Sequence, residues 1–301
     1  MKTEVVLTPA ESKKLIAVAI LNSYEVRNAL KQGIVAVHPS SSTVFLYEGI
    51  LGRTPEGVWV CGVVAPKGLC ISRDAAEMIA SRGPGIHDPR EVSRQTWFFK
   101  KGVLQEPAPL GEILEQMGEN DVYIKGCNAL DPQGNTGVLF GNPAGGGGTI
   151  GKVIAALRRK KFLLFLPVGI EKLIPVSISE AGHKAGAKNA GKTMGIPCGL
   201  MPVSGRKVDE VDALSMLSGV EATPIAAGGI GGAEGAVVLV LEGNEEQIQK
   251  AVTLLQSVKG ARLPDLHLPD CPTCTYPTCR LRPEICRGSR PAIARTVSPD
   301  D

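Results

Sequence analysis

Short apolar runs alternate with stretches of helical periodicity through about the first 170 residues, and this alternation limits the chain's fold more than any other feature. Ile34 to Val37, Val58 to Ala65, Asp121 to Lys125 and Phe162 to Val168 are strand-length runs, and Trp97 to Leu104 reads as a further strand. Helical segments lie among them: Ser23 to Lys31, an amphipathic stretch ending near Gly52, Asp74 to Ser81, Leu110 to Gly118 and Thr149 to Lys160. Strands that alternate with helices bury both faces of a mostly parallel sheet. The expected class is therefore α/β, with a Rossmann-like sheet. Aromatic residues make up only 4% of the chain, so its core must be aliphatic.

Punctuation residues sharpen the boundaries. Thr8-Pro9-Ala10-Glu11 has a cap hydroxyl, a proline at the first helical position and an acid three residues after the cap, which together predict a helix start. From about Pro175 the texture changes. Residues 181–207 are rich in Gly and Lys with little periodicity. A helix–strand–strand–helix run follows over Val208 to Leu217, Glu221 to Ala227, Ala236 to Leu241 and Glu245 to Val258, with Gly260 as its stop. The expected organisation is an α/β domain over residues 1–175, a small α+β (ferredoxin-like) subdomain over 176–262, and a cysteine-rich tail over 263–301.

Charge and cysteine content narrow the function classes. A net charge of +3 from 33 basic and 30 acidic residues is nearly balanced, which argues against nucleic acid as the main partner. The apolar runs are far shorter than the ~20 residues of a membrane span. The amino terminus, with Glu4 and no apolar h-region, does not read as a signal peptide. The expectation is a soluble, cytoplasmic protein, in a reducing compartment where its eight cysteines serve metals or catalysis more often than disulfides.

The strongest chemical pattern is Cys271, Cys274, Cys279 and Cys286, a C-x₂-C-x₄-C-x₆-C array. Four thiolates in so short a run can wrap one metal centre, and ligation supplies folding energy that a Pro- and Arg-rich tail lacks. Zinc takes four thiolates in a tetrahedron, and an iron–sulfur cluster also takes four cysteines. The uneven spacing favours iron–sulfur, with zinc as the alternative and free thiols or disulfides as the bland reading. Such a tail also suits docking on a protein partner. The second pattern is Gly145, Gly146, Gly147 and Gly148 feeding a helix that carries Lys152. Bare amides at a helix start form an anion cradle, although the same glycines serve a tight crossover. A second cradle is expected at Ser40, Ser41, Ser42 and Thr43, which follow the strand Ile34 to Val37 and open another helix.

Two of these segments resemble the superfamily of ribose-5-phosphate isomerase, glucosamine-6-phosphate deaminase and the coenzyme A transferases. The first is the strand and Ser/Thr loop at 34–43. The second is Val122-Tyr-Ile-Lys-Gly-Cys-Asn-Ala-Leu-Asp131-Pro-Gln-Gly-Asn135. The likeness is closest to the isomerases, and this chain keeps Gly126, Asp131, Pro132, Gly145 to Gly148 and Lys152. It departs at the isomerase's catalytic positions: Asn128 stands for an Asp, Ala129 for a Glu, Ala144 for a Lys, and Gly151 where a Glu precedes the lysine. A glycine cannot lift a carbon-bound proton. The resemblance covers roughly residues 10–175. It implies the fold, a pocket for a phosphorylated or coenzyme A-type ligand oriented by Asn128 and Asp131, and an inserted small α+β domain. It does not imply isomerase activity.

Other patterns read more plainly. Gly186 to Thr193 matches a phosphate-loop pattern letter for letter, but no strand runs into it, and Pro197 stops any helix that would follow. His183, Lys184, Lys188 and Lys192 then belong to a basic loop, solvated or lying over the anion site. Gly228 to Gly235 reads as a hairpin connection. Cys127 and His38 sit beside the pocket, each with a structural reading as the plainer one, and Cys61, Cys70 and Cys198 read as structural. The resulting expectation is a binding or sensory protein for a small anion, with a metal-bearing tail. The alternative is an isomerase, transferase or redox enzyme using Asn128, Asp131, Lys152 and Cys127, and a third reading is a nucleotide hydrolase using Lys192.

Overall fold

The computed structural model describes residues 1–55, 61–65, 68–73, 96–141, 147–185, 193–265, 267–269 and 271. In chain order these form β1 (Lys2–Leu7), α1 (Pro9–Asn22), α2 (Tyr24–Gln32), β2 (Ile34–Val37), α3 (Val44–Leu51), β3 (Cys61–Ala65), β4 (Gly68–Ile71), β5 (Trp97–Lys100) and β6 (Val103–Leu104). There follow α4 (Leu110–Gln116), β7 (Val122–Ile124), β8 (Ala129–Leu130), β9 (Thr136–Phe140), α5 (Gly148–Lys160) and β10 (Leu163–Pro167). A 3₁₀ turn (Ile170–Lys172), α6 (Ile178–Lys184), β11 (Gly199–Val203), β12 (Arg206–Val208), α7 (Glu210–Ser218), β13 (Glu221–Gly228), β14 (Ala236–Glu242) and α8 (Glu245–Val258) complete the order. The expected helix at Asp74 to Ser81 and the start of the strand expected from Val58 lie outside the described residues, as do Gly145, Gly146, Cys274, Cys279, Cys286, Lys188 and Lys192.

The central sheet has six strands in the order β12-β10-β7-β2-β5-β6. The pairs β12/β10, β10/β7 and β7/β2 are parallel, while β5 and β6 add antiparallel. The class is α/β with a mixed, mostly parallel sheet, and the apolar runs explain it. Val35, Val37, Val122, Ile124 and Phe165 face one side, where they pack with α1, α2 and α3. Their neighbours Ile34, Ala36, Tyr123, Leu164 and Leu166 face the other side, against α4 and α5. A strand buried on both faces has no polar alternation to display, so it reads as a continuous run. Trp97 to Leu104, expected as one strand, is a hairpin of β5 and β6. Lys101 and Gly102 both take left-handed backbone angles, φ 50 and 76, at its turn.

Beside this sheet lies an antiparallel sheet in the order β1-β14-β13. The helix–strand–strand–helix run expected near 208–258 is present as α7, β13, β14 and α8. Its sheet also takes in β1, which is far away in sequence. Val237, Leu239 and Leu241 of β14 are buried in the same cluster as Leu15, Ile16 and Ile20 of α1 and Ala213 and Leu214 of α7. Helix α1 is thus packed between the small sheet and the central one. It starts with the predicted capping box, in which the Thr8 hydroxyl accepts from Glu11 N–H and the Glu11 carboxylate accepts from Thr8 N–H. A third sheet, β11-β9-β8, is antiparallel and draws on the Gly/Lys-rich stretch that showed little periodicity. Among the described residues no helix is long and apolar enough to cross a membrane.

Candidate functional site

Four parallel strands, β12, β10, β7 and β2, end on the same edge of the central sheet. In an open α/β sheet that edge is where ligands sit. The segments leaving it are 38–43 after β2, 125–128 after β7, 168–172 after β10, and Asp209 with the first residue of α7 after β12.

The serine loop is built as a tight turn. Thr43 N–H and Val44 N–H both bond to Ser40 C=O, and the Thr43 hydroxyl donates to His38 C=O at 2.6 Å. Ser42 and Thr43 are buried, whereas Ser41 is half-buried. The segment after β7 approaches it closely. A Cβ on Gly126 would lie 2.7 Å from Ser40 Oγ and 3.1 Å from Ser42 Cβ, so only glycine lets the two loops meet. Lys172 joins them from the turn after β10. Its Nζ donates to Ser42 Oγ at 2.7 Å and to Cys127 C=O at 2.8 Å. An ammonium has three donors, and the third has no partner among the described residues. Burial lowers the pKa of Lys172, while the Glu171 carboxylate beside it works in the opposite direction.

Two more groups complete the rim. Lys125, the first residue past β7, is buried, and its positive charge acts on both His38 and Cys127. Burial first, and Lys125 second, push the His38 imidazole well below its usual range, so it is neutral at pH 7. Its Nδ1 is buried with no hydrogen-bond partner among the described residues. Burial pushes the Cys127 thiol up to about 11 against the pull of Lys172, so at neutral pH it stays protonated. A thiol so held is a poor nucleophile.

Behind Lys172 lies a knot of charge. The Lys13 ammonium, on α1, meets Glu171 Oε1 at 2.7 Å with side chains only 7% and 14% exposed. Glu210, the first residue of α7, is fully buried. Its Oε2 accepts Ile170 N–H at 2.9 Å, and Ser12 of α1 lies against the same carboxyl. Glu171 Oε2 and Glu210 Oε1 are both buried without a partner among the described residues. Burial, and then the charge of Glu171, push the Glu210 carboxyl up to about 7.

The other residues singled out in the sequence stand elsewhere or do other work. Asp131 organises its own hairpin. Its Oδ1 accepts from Gln133 and Asn135 N–H at 3.0 and 2.8 Å, and its Oδ2 from Ile178 N–H at 3.0 Å. Burial would raise its pKa, but these bonds, together with the Asn135 amide, outweigh burial and hold it below the usual carboxylate range. Asn128 spends its side-chain oxygen on Leu139 N–H at 3.0 Å. Gly147 takes φ +86 at the start of α5, where a Cβ would fall on the Met201 side chain. Close packing therefore explains this member of the glycine run. Lys152 is exposed in the first two turns of α5. Cys271 is half-buried, and among the described residues it has no disulfide partner and no three metal-ligating side chains cluster.

This division gives a direct prediction. Asp131→Ala removes the acceptor of five hydrogen bonds from four donor groups and lowers unfolding free energy by about 2–4 kcal/mol in urea melts, since bonds to a charged group are worth ~1.5–3 kcal/mol each and overlap here. Anion affinity, read by calorimetry on the folded variant, stays within about twofold of the parent.

Sequence reasoning missed Lys13, Lys125, Glu171, Lys172 and Glu210. The signal was present in three of the strand exits: Ile124-Lys125, Gly169-Ile-Glu-Lys172 and Val208-Asp-Glu210 each place charge within a few residues of a buried run. Comparison with protein-family models, with curated proteins and with solved structures finds no match to this chain.

Proposed function

We propose that this chain binds a small anionic ligand, phosphorylated or of coenzyme A type, at the carboxyl edge of its central sheet. The observation that carries the reading is Lys172, held by Ser42 and Cys127 with one donor left over, with Lys125 acting on the same Cys127 and the loop of Ser40 and Ser42 packed against Gly126. A cation already desolvated by the fold meets an anion at little further cost, and charge-assisted bonds of this kind are the strong ones. The enzyme reading has less behind it. Cys127 is held as the thiol, and Asp131 and Asn128 are committed to their own loops. The finer architecture follows the same reading: a Rossmann-like ligand domain with a ferredoxin-like α+β unit beside it.

The test is titration of the full chain with inorganic phosphate and with coenzyme A, followed by calorimetry and by the shift in melting temperature. Saturable binding of either supports the reading, and no binding of either up to millimolar concentration defeats it.

For the tail we propose one metal centre on Cys271, Cys274, Cys279 and Cys286, an iron–sulfur cluster or, failing that, zinc. The support is the spacing of the four cysteines and a segment otherwise poor in apolar residues. Protein purified without air is expected to contain iron and sulfide and to show a broad visible absorption band that Cys274→Ser removes. Stoichiometric zinc in a colourless sample would select the alternative, and neither metal would end the proposal. In the first case the tail suits redox sensing or docking on a protein partner.

A further inference from the structure

Glu210 has no part in holding the proposed anion, yet the fold has spent a fully buried carboxyl on the wall behind it. Charged and titratable groups approach it from each side. From α1 come Ser12 and Lys13, and from the turn after β10 come Ile170 N–H, Glu171 and Lys172. Beside it Asp209 and, on its own helix, Asp212 share one cation, Lys207, so this triad keeps one net negative charge whatever the state of Glu210. Four of these side chains form one electrostatic unit: Lys13 and Lys172 against Glu171 and Glu210. With Glu210 ionised the unit is neutral. With a proton on Glu210 its net charge is +1, and that excess lies beside the open donor of Lys172.

The orphaned oxygens give the second line of argument. Buried polar atoms are almost always hydrogen-bonded, and Glu171 Oε2 and Glu210 Oε1 are both buried acceptors with no donor among the described residues. Two ionised carboxylates leave both unsatisfied. One proton turns Glu210 Oε1 from an acceptor into a donor and also removes the repulsion from Glu171. Nearby, Gly169 leaves room for the Glu171 carboxylate to fold back over the turn, since a Cβ there would fall on Glu171 Oε2.

We infer that Glu210, set beside the charge of Glu171, holds one exchangeable proton, and that anion binding at Lys172 takes that proton up from solvent. The step balances simply: one H⁺ leaves water for the Glu210 carboxylate, and the site's charge rises by one as the anion arrives. Glu210 is thus a positioning residue for charge and does not touch the ligand. The inference rests on the anion-site reading above and adds the regulation of that site by pH. The Glu210 carboxyl, pushed up to about 7, sets the window. As pH rises through that value the proton is lost and affinity falls.

The probe is sulfate, which does not titrate across the range, added to the full chain between pH 6 and 8.5. The parent is expected to lose on the order of tenfold in affinity over that range, the equivalent of ~1.4 kcal/mol. At pH 7.5, calorimetry in buffers of different ionisation enthalpy should show about half a proton taken up per sulfate bound, as a tenfold coupling on a group titrating near 7 allows. In Glu210→Gln, which keeps the shape and donates where the acid did, the profile flattens at the low-pH affinity and proton uptake disappears. Sulfate binding that is flat with pH in the parent, or a slope that persists in Glu210→Gln, overturns the inference and leaves the anion site standing. Absence of sulfate binding at every pH overturns both. Should Glu210→Gln not fold, the proton count on the parent alone decides the matter.

Discussion

Lys172→Met is expected to weaken phosphate or coenzyme A binding by roughly 10- to 150-fold, the equivalent of the ~1.5–3 kcal/mol that one hydrogen bond to a charged group contributes. Methionine fills much the same volume, so packing around Cys127 and Ser42 survives. The variant loses the donor and the charge together. It also leaves Cys127 C=O and Ser42 Oγ without the bonds they make at 2.8 and 2.7 Å, although the serine hydroxyl can rotate to another partner. A drop in unfolding free energy of about 1–2 kcal/mol accompanies the loss of affinity. Calorimetric titration of parent and variant, at a pH where both are folded by circular dichroism, separates the two effects. The comparison to run beside it is Lys152→Met. Lys152 is exposed on α5 and is expected to bind phosphate as the parent does. The reverse outcome, affinity lost with Lys152 and kept without Lys172, would move the site to the Gly147–Gly148 helix start.

What the sequence made legible follows from how local each signal is. Helix α8 carries its own boundaries: Asn244 and Gln247 cap each other at 2.9 Å, and its buried stripe of Ile248, Ala251 and Leu255 repeats at helical spacing. The buried strands declare themselves as apolar runs for the reason given above. Strand β1 does not, because Lys2-Thr-Glu-Val-Val-Leu7 shows no clear alternation and its partner, β14, is more than 200 residues away. Pairing at that distance leaves no trace in a local window. The serine loop was readable because a Ser/Thr cluster after an apolar run is a recognised turn. The charge knot was not, since Lys13 on an amphipathic helix and Glu171 in a Pro- and Gly-flanked turn each look like ordinary solvated residues. Only the crossing of α1, the turn after β10 and the start of α7 brings them together and removes them from water. Asp131 misled in the opposite sense. Its Asp-Pro-Gln-Gly-Asn setting resembles a ligand loop, and the same residues are what a carboxylate needs to hold its own hairpin.

The largest effect on stability is expected from Lys13→Met. The Lys13–Glu171 pair is nearly sealed from solvent, and Lys13 Nζ also donates to Pro9 C=O at 3.2 Å. Such a pair contributes little net stability, because desolvating two charges offsets most of their attraction. Removing one partner is different. Glu171 would then be a buried carboxylate facing a second acid, Glu210, with its nearest cation gone. Breaking a buried pair in this way costs about 3–5 kcal/mol, a large share of a typical domain's stability. The double variant Lys13→Met, Glu171→Leu should recover most of the loss, as apolar groups of similar size replace both charges. The pH dependence carries a sign that can be worked out from Glu210. Its folded pKa, about 7, lies above the unfolded 4.5, so its contribution to stability is complete below about 4.5 and is lost as pH rises through 7. Without Lys13 the ionised form of the acid pair is harder still to accommodate, so the deficit of Lys13→Met should widen from pH 5 to pH 8. Urea unfolding of parent, single and double variants at those two pH values checks this. Equal deficits at both would mean that Lys13 acts through packing on α1 and not through the charge it brings to the acids.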